Sequence, residues 1–341
     1  MEPHHEQHPI GTGFTAASTA DDVIRGVDLH GTNAVVTGGH SGLGRETTKV
    51  LAAAGASVVV AARSPQRAAA AVADIDGVAV EQLDLMDPQS IESFTQRWLA
   101  SDRAVHMLIN CAGLPAPAER TVDARGFEAQ FATNHLGHFQ LTLGLLPALR
   151  AARGARVVNV SSGAHRLSDI RWHDLHFTTG YDPGLAYAQS KTANVLFAVE
   201  LDRRWSADGI RGYAVHPGVV VGTNLNSAVG EEQLREMGLV DDDGRPIIVP
   251  EHGRKTPQQG AATIVFAATS PHLAGVGGVY LKDSDVSPLD PEPRPMTNSP
   301  DLDIPAEVAP HAVDPRSARR LWELSEQMVF GNLATPSGRA G

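Results

Sequence analysis

The chain has 341 residues, enough for one large α/β domain or two small ones, and its 42% hydrophobic and 20% charged residues are ordinary for a globular protein. A net charge of −11 without a local basic patch excludes a nucleic-acid binder that follows the phosphate backbone. No stretch has the uninterrupted apolar length of a membrane-spanning helix, and a single cysteine, Cys111, excludes an intrachain disulfide. We therefore expect a protein of a reducing compartment, which we take to be the cytoplasm.

The first segment, residues 1–30, is polar and carries His4, His5 and His8. A histidine cluster is able to bind a metal ion, but this composition is more typical of a solvated tail. We expect the segment to lie over the domain or to remain mobile.

From residue 31 onward, short β-branched segments alternate with Ala- and Leu-rich segments of helical length. The predicted strands are Asn33–Thr37, Ser57–Ala62, Val78–Leu83, Val105–Asn110, Arg156–Ser161 and Ile210–Val215. The predicted helices are Gly44–Ala54, Ser90–Ala100, Phe127–Arg150 and Tyr187–Ser206. Strands that are apolar nearly throughout are typical of a parallel sheet covered on both faces, so the fold class is α/β with a doubly wound parallel sheet in a single domain, residues 31–283.

Two segments interrupt this alternation. Residues 224–256 are polar and end at Thr256-Pro257-Gln258-Gln259, a capping box with proline at the first helical position. Residues 284–341 form an extension, rich in proline at its start, with a short amphipathic helix around Arg319–Val329 that places Leu321, Leu324 and Met328 on one face. We expect this helix to dock on the domain; binding of a partner protein is the alternative.

A glycine-rich turn follows the first predicted strand, with the sequence Thr37-Gly38-Gly39-His40-Ser41-Gly42-Leu43-Gly44. Gly38, Gly42 and Gly44 allow the backbone to turn tightly and to approach a pyrophosphate, and the next helix directs free N–H groups at the anion. In a βαβ unit, such a turn indicates nucleotide binding. A hydrolase nucleophile elbow at Ser41 is excluded, because that motif requires glycine where Leu43 stands.

The end of the second predicted strand bears on the choice of cofactor. Ala62 and Arg63 occupy the place where an acidic side chain would bind the ribose hydroxyls of NAD. A guanidinium favours a 2′-phosphate, so we predict NADP, with NAD as the alternative cofactor and an ordinary surface arginine as the alternative interpretation of Arg63.

Tyr187 and Lys191 lie four residues apart in a predicted helix and therefore on one face of it. A free tyrosine has a pKa of about 10, too high for general acid–base catalysis at neutral pH. A nearby ammonium and a positive nicotinamide ring would favour the phenolate and bring that pKa toward working pH. The alternative is an ordinary amphipathic helix surface.

Further motifs follow in order along the chain. They are Asp84-Leu85, Asn110-Cys111-Ala112-Gly113, Asn134, Ser162 and Pro217-Gly218 with Thr223. Together with the glycine-rich turn and the Tyr187–Lys191 pair, they resemble the classical short-chain dehydrogenase/reductase family over residues 29–283, with Cys111 in place of the second asparagine of its NNAG motif. The resemblance implies an oxidoreductase with a Rossmann fold, strand order 3-2-1-4-5-6-7, and a mobile substrate lid at residues 224–256.

The resemblance implies a catalytic set of Asn134, Ser162, Tyr187 and Lys191. Tyr187 would exchange a proton with the substrate oxygen, and Ser162 would hold that oxygen near the nicotinamide. Lys191 would lower the pKa of Tyr187 and bind ribose, and Asn134 would hold a water of the proton relay. The implied cofactor-binding residues are Thr37, Gly38, His40, Ser41, Gly42, Leu43, Gly44, Arg63, Asp84, Leu85, Asn110, Ala112, Gly113, Tyr187, Lys191, Pro217, Gly218 and Thr223.

Within the family, the segments 157–165 (VVNVSSGAH), 186–197 (AYAQSKTANVLF) and 321–326 (LWELSE) resemble the retinol-dehydrogenase-like branch. That branch implies a small lipophilic alcohol or carbonyl as substrate, and either a monomer or a homodimer. A non-catalytic NADP-binding regulator of the same fold is the alternative, disfavoured because all four catalytic residues are present.

No zinc-binding spacing is present among the histidines, so we predict no metal site. We expect His135, His138, His165 and His173 to be packed or solvent-facing, and His165, Trp172 and His173 are candidates to line the mouth of the substrate site.

Overall fold

A computed structural model describes residues 7–221, 230–292, 305 and 307–331. These residues form one sheet in the order β3-β2-β1-β4-β5-β6-β7-β8, in which every pair is parallel except β7 with β8. The strands are β1 (Asn33–Thr37), β2 (Ser57–Ala62), β3 (Val78–Gln82), β4 (Met107–Asn110), β5 (Arg156–Val160), β6 (Arg211–His216), β7 (Val279–Lys282) and β8 (Asp285–Val286). The predicted doubly wound parallel sheet and its strand order are confirmed, and the short antiparallel β8 adds an edge that was not predicted.

The α-helices connect and cover these strands. They are α1 (Ala20–Ile24), α2 (Gly42–Ala53), α3 (Pro65–Ala71), α4 (Pro88–Leu99), α5 (Ala129–Phe131), α6 (His138–Gly144), α7 (Leu146–Ala151), α8 (Pro183–Trp205), α9 (Glu231–Glu236), α10 (Pro257–Thr269) and α11 (Pro315–Phe330). No helix among the described residues is long and apolar enough to cross a membrane.

Alternate residues of β1 enter two separate apolar cores. Val36 packs in a core that includes Leu51 of α2 and Ile264 of α10. Val35 packs in the other, with Phe94 and Trp98 of α4. Because successive side chains of a strand point to opposite faces, the sheet is buried on both sides, which explains why its strands are apolar throughout.

The predicted single helix Phe127–Arg150 is wrong in its continuity. The buried carboxylate of Glu128 caps the start of α5 by accepting from the backbone N–H groups of Gln130 (3.0 Å) and Phe131 (2.8 Å). A π-helical turn, Ala132–Gly137, separates α5 from α6 and contains Asn134. Such turns occur at functional sites, and the apolar pattern on either side does not reveal them.

The described part of the N-terminal segment, residues 7–30, lies against the domain. The amide of Gln7 donates to the carbonyls of Tyr280 and Ser287, and Asp285 accepts from the backbone N–H groups of Ile10 and Gly11, both at 2.9 Å. His4 and His5 fall outside the described residues.

The extension contributes α11, which extends the predicted helix toward its N-terminus and docks on the domain. Leu321, Leu324 and Met328 pack in one apolar cluster with Phe131 and Leu196, as the helical pattern predicts. Trp322, next to that face, is also buried and contacts Phe139, Phe197 and Trp205 with ring centroids 5.0, 5.7 and 5.2 Å away. The apolar face of α11 is therefore covered by the chain itself.

The segment 224–256 is described from residue 230 onward. It contains α9 and isolated bridges that join Val249 to Arg254 and Arg254 to Val219. It ends at α10, whose N-cap Thr256 and Gln259 form the predicted capping box with Pro257 at the first helical position. Closure of this segment as a lid stays a prediction.

Candidate active site

The phosphate cradle, residues 37–44, lies between the carboxyl end of β1 and the start of α2. Gly38 and Gly42 have φ angles of +65° and +50°, a region in which other residues are strained. A Cβ at Gly44 would stand 2.5 Å from the carbonyl oxygen of Gly38 and 3.1 Å from the Cα of Gly39, so only glycine fits there. The helix thus starts directly against the turn, and its first N–H groups have no intrahelical acceptor. The local geometry fits a pyrophosphate.

Two side chains of the cradle point inward to the protein rather than to a ligand. The hydroxyl of Thr37 accepts from the backbone N–H groups of Cys111 (2.9 Å) and Ala112 (3.0 Å) and lies 2.8 Å from Nε2 of His138. Leu43 lies so close to Gly260 of α10 that a Cβ there would be 2.7 Å from its Cδ2. Thr37 therefore joins the ends of β1 and β4, and Leu43 offers a ligand only its backbone.

His40 lies at the centre of the cradle. Burial, and the positive charge of Arg67, lower the pKa of its imidazole, and its Nδ1 is buried without a hydrogen-bond partner among the described residues. Ala112 and Gly113, which directly follow β4, form another side of the cradle. Ala112 lies in contact with Gly38. A neutral imidazole and exposed backbone are compatible with an anionic ligand.

A cleft of about 430 Å³ lies at the ends of β2 and β3. Arg63, Gln82, Asp84 and Arg97 are among its lining residues. The Asp84 carboxylate accepts from the backbone N–H of Met86 (3.0 Å), whereas the exposed Arg63 makes no ion pair with the described residues. Leu85, next to Asp84, is buried, and a Cβ at Gly137 would overlap its carbonyl oxygen. The cleft therefore presents a guanidinium beside the place predicted for adenosine.

The predicted catalytic serine, tyrosine and lysine lie together between β5 and α8. The hydroxyl of Ser162, just after β5, lies close enough to Tyr187 to lower the pKa of its phenol. The Nζ of Lys191 is 5.4 Å from the centre of the Tyr187 ring and donates to the carbonyl of Val160 (3.0 Å). Tyr187 and Lys191 were predicted to share one face of a helix, and their side chains do lie together at this site.

Burial dominates the electrostatics of this cluster. It raises the pKa of Tyr187 to about 12, against the lowering effect of the nearby Ser162 hydroxyl, and lowers the pKa of Lys191 to about 8. It also raises the pKa of the Cys111 thiol to about 11, although nearby Lys191 acts in the opposite direction. In the protein alone, the phenol and the thiol are therefore neutral at pH 7, and any shift of Tyr187 toward neutrality requires a further positive charge.

Asn134 lies in the π-helical turn and connects three segments. Its Oδ1 accepts from the backbone N–H of Leu114 (2.9 Å), and its Nδ2 donates to the hydroxyl of Ser190 (3.0 Å), next to Lys191. Its carbonyl lies 3.0 Å from Nδ1 of His138, whose Nε2 faces Thr37. Sequence reasoning did not assign this bridging role to His138, although the spacing of four residues from Asn134 was available as a signal. The relay water of Asn134 stays a prediction.

The other predicted cofactor residues differ in what they offer. The amide of Asn110 is buried and donates to Asn159 (2.8 Å), so it joins β4 to β5. Gly218, after β6, has φ of +79°, and a Cβ there would be 2.8 Å from the carbonyl of Gly253. Pro217 precedes it at the carboxyl end of the sheet, and Thr223 falls outside the described residues.

The structure corrects one of the candidates for the substrate mouth. His165 is fully buried beneath the extension, where its ring lies 4.9 Å from that of Tyr280. Trp172 is half-buried, with the guanidinium carbon of Arg320 of α11 4.2 Å from its ring centre, and its place at the substrate mouth stays a prediction. His173 is exposed. His135 and His138 are packed, as expected, and the described residues contain no cluster able to hold a metal ion.

Comparison with known proteins shows the family to which the chain is similar. A family model described as short chain dehydrogenase matches residues 32–234. The chain is 46% identical over 304 residues to a probable oxidoreductase of Streptomyces antibioticus, covering 87% of this chain and 97% of the relative. It is 36% identical over 313 residues to human retinol dehydrogenase 12, covering 89% and 88%.

Solved structures agree on the fold. The crystal structure of an uncharacterized protein from Mycobacterium paratuberculosis superposes with a TM-score of 0.67 at 33% identity and covers 92% of this chain and 98% of that one. The RhlG/NADP active-site complex of Pseudomonas aeruginosa superposes with a TM-score of 0.57 at 22% identity, covering 75% and 95%. At that identity the second likeness shows the fold alone.

Proposed function

The chain belongs to the short-chain dehydrogenase family, in its retinol-dehydrogenase-like branch, and is thus an oxidoreductase of a family that binds NAD(P) and acts on small molecules. From this premise we propose that it transfers a hydride between NADP and the carbonyl or alcohol carbon of a lipophilic substrate. The observation that carries the proposal is the meeting of Ser162, Tyr187 and Lys191 at the carboxyl edge of the sheet that also bears the phosphate cradle. In doubly wound sheets, ligands bind at this edge.

The preference for NADP rests on the cleft beside Arg63. A 2′-phosphate there would meet an exposed guanidinium without an ion-pair partner among the described residues, which suits bidentate phosphate binding. The Asp84 carboxylate accepts a hydrogen bond from the backbone N–H of Met86. We expect it to contact the adenine of the cofactor rather than the ribose. The backbone of Gly38 and Ser41–Gly44 would bind the pyrophosphate.

The residues of the site divide the chemistry between them. When bound, the nicotinamide supplies or accepts the hydride. Tyr187 gives its phenolic proton to the carbonyl oxygen in reduction, or removes the proton of the alcohol in oxidation. Ser162, which lies beside Tyr187, donates to the same oxygen and fixes its position.

Lys191 provides the charge that this proton transfer needs. Its pKa of about 8 leaves it mostly protonated at pH 7, and its Nζ is near the Tyr187 ring. Since burial raises the pKa of Tyr187 to about 12 despite the opposing effect of Ser162, we expect the ammonium and the positive ring of the oxidised cofactor to act together in lowering it. The lipophilic substrate is supported by relatives that carry the name retinol dehydrogenase.

The experiment is a titration of the purified protein with NADPH and NADH, followed by turnover on a panel of lipophilic aldehydes and ketones, with Tyr187→Phe beside the wild type. We expect the variant to bind NADPH as the wild type does and to lose about 10³-fold or more in turnover, because the proton donor is gone. Binding without wild-type turnover on any substrate would instead favour a non-catalytic NADP-binding regulator. Absence of binding would contradict both.

A further inference from the structure

The turn that carries Ser162 is connected to the C-terminal strap, which we define as residues 307–311. His165 lies three residues after Ser162 and is fully buried. Its Nδ1 is 2.7 Å from the carbonyl oxygen of Ser162, and its Nε2 accepts from the backbone N–H of Ala309 at 3.0 Å. One imidazole therefore joins the serine to a segment 144 residues away along the chain.

These two contacts determine which nitrogen of His165 carries the proton. The N–H of Ala309 is only a donor, so Nε2 must be unprotonated to accept it. A neutral imidazole with a bare Nε2 carries its proton on Nδ1, which then donates to the carbonyl of Ser162. The strap thus selects the tautomer that binds the serine, and burial favours the neutral ring by lowering the pKa of His165 to about 3.

The same turn is attached to α8 and to the strap by further bonds. The carbonyl of His165 accepts from the hydroxyl of Thr192 and from Nε2 of His311, both at 3.0 Å. Thr192 directly follows Lys191. The guanidinium of Arg166, buried as well, donates to the carbonyl of Glu307 (2.8 Å) and to Asp290 (2.7 Å). The strap is therefore anchored on both sides of the contact with His165.

From these contacts we infer that His165 is a positioning residue for catalysis, through which the C-terminal strap orients Ser162 toward Tyr187. The inference rests on the proposed function, because Ser162 matters only if it holds the substrate oxygen. His165 itself is buried behind the serine and acts through the carbonyl of Ser162. A displacement of the serine hydroxyl by about 1 Å would be expected to lower turnover strongly without changing cofactor binding.

Two amide substitutions separate the two contacts of His165. The Nδ2 of asparagine occupies the place of Nδ1, so His165→Asn retains the donor to Ser162 and loses the acceptor for Ala309. The longer side chain of glutamine places its oxygen near the position of Nε2, so His165→Gln retains the bond to the strap and loses the side-chain donor to the serine. The Ser162 carbonyl then keeps only the bond from the backbone N–H of residue 165 (3.1 Å). His272→Gln, in an exposed histidine at the far end of α10, is the matched control.

With NADPH at saturation, we expect His165→Gln to lose about 10- to 100-fold in kcat, and His165→Asn to stay within about 3-fold of the wild type, while both bind NADPH normally. We expect thermal unfolding to follow the opposite order, with His165→Asn the less stable variant because its strap is loosened. If His165 only filled space, the longer glutamine would be the milder substitution in both kcat and thermal stability. That result, or wild-type kcat in His165→Gln, would overturn the inference.

A second variant and a second readout apply if neither substitution folds or if the wild type shows no hydride turnover. Asp290→Asn weakens the Arg166 anchor without touching His165 or the serine. We expect it to accelerate hydrogen exchange of the backbone amides of residues 161–168, and unchanged protection there would overturn the inference. Missing turnover contradicts the proposed function alone, since the exchange experiment does not depend on activity.

Discussion

The phosphate cradle and the Ser162 turn lie on the same edge of the sheet, but they are built in opposite ways. The cradle consists of eight consecutive residues whose conformation follows from glycines at Gly38, Gly42 and Gly44. The Ser162 turn is oriented by residues from α8, from Asp290 and from the strap at 307–311. The residues of a local motif can thus determine its conformation by themselves. The orientation of a catalytic group on a loop depends instead on segments that are distant along the chain.

The largest expected effect concerns the extension. Trp322→Ala removes a ring packed against Phe139, Phe197 and Trp205, and we expect a loss of about 3–5 kcal/mol in the free energy of unfolding. Urea unfolding measures it. Trp322→Phe is the control, and we expect a loss of about 1 kcal/mol, because its ring remains and an indole N–H without a partner among the described residues is removed. Equal stability of Trp322→Ala and the wild type would show that α11 is dispensable for the fold.

The cradle is tested by Gly44→Ala. The added Cβ would meet the backbone of Gly38 and Gly39, which cannot move aside as a side chain does, so the first turn of α2 must shift. We expect NADPH affinity to fall about 100-fold, corresponding to about 2.7 kcal/mol. Fluorescence titration is the measurement. Gly230→Ala is the matched control, since its Cβ would enter open space, and NADPH binding unaffected by Gly44→Ala would contradict the location of the phosphate site.

Lys191 offers a pH-dependent test at the junction of the two regions. Its pKa is lowered from 10.5 to about 8 by burial, so the folded state binds fewer protons than the unfolded state between those values, and stability rises with pH across that window. The cost of the buried charge is full below pH 8. We therefore expect Lys191→Met to be inactive but more stable at pH 7, by about 1–3 kcal/mol after loss of the bond to Val160.

The gain should shrink as the pH rises from 8 toward 10.5. Thermal unfolding of variant and wild type at matched pH measures the difference, with the exposed Lys49→Met as the control that gains nothing. A gain that is independent of pH would refute the explanation by charge burial.

The smallest expected effect concerns cofactor choice. Arg63→Ala removes the guanidinium from the cleft, and we expect about 10-fold weaker binding of NADPH with NADH unchanged. Parallel titrations with both cofactors measure the ratio, and the exposed Arg316→Ala is the control. An equal loss of affinity for NADPH and NADH would show that Arg63 attracts both cofactors through its charge and does not bind the 2′-phosphate specifically.

The sequence by itself determined the parallel sheet, the glycine-rich turn and the shared helix face of Tyr187 and Lys191, because each of these follows from short periodicities or from spacing within one element. The strand order followed from the family resemblance. Only the tertiary structure decided that a π-helical turn surrounds Asn134, that His165 lies beneath the extension, and that burial raises the pKa of Tyr187 to about 12. The physical reason is the distance along the chain over which residues influence each property. Backbone conformation depends on neighbouring residues, whereas burial, tautomer and pKa depend on whichever distant segments fold against a side chain.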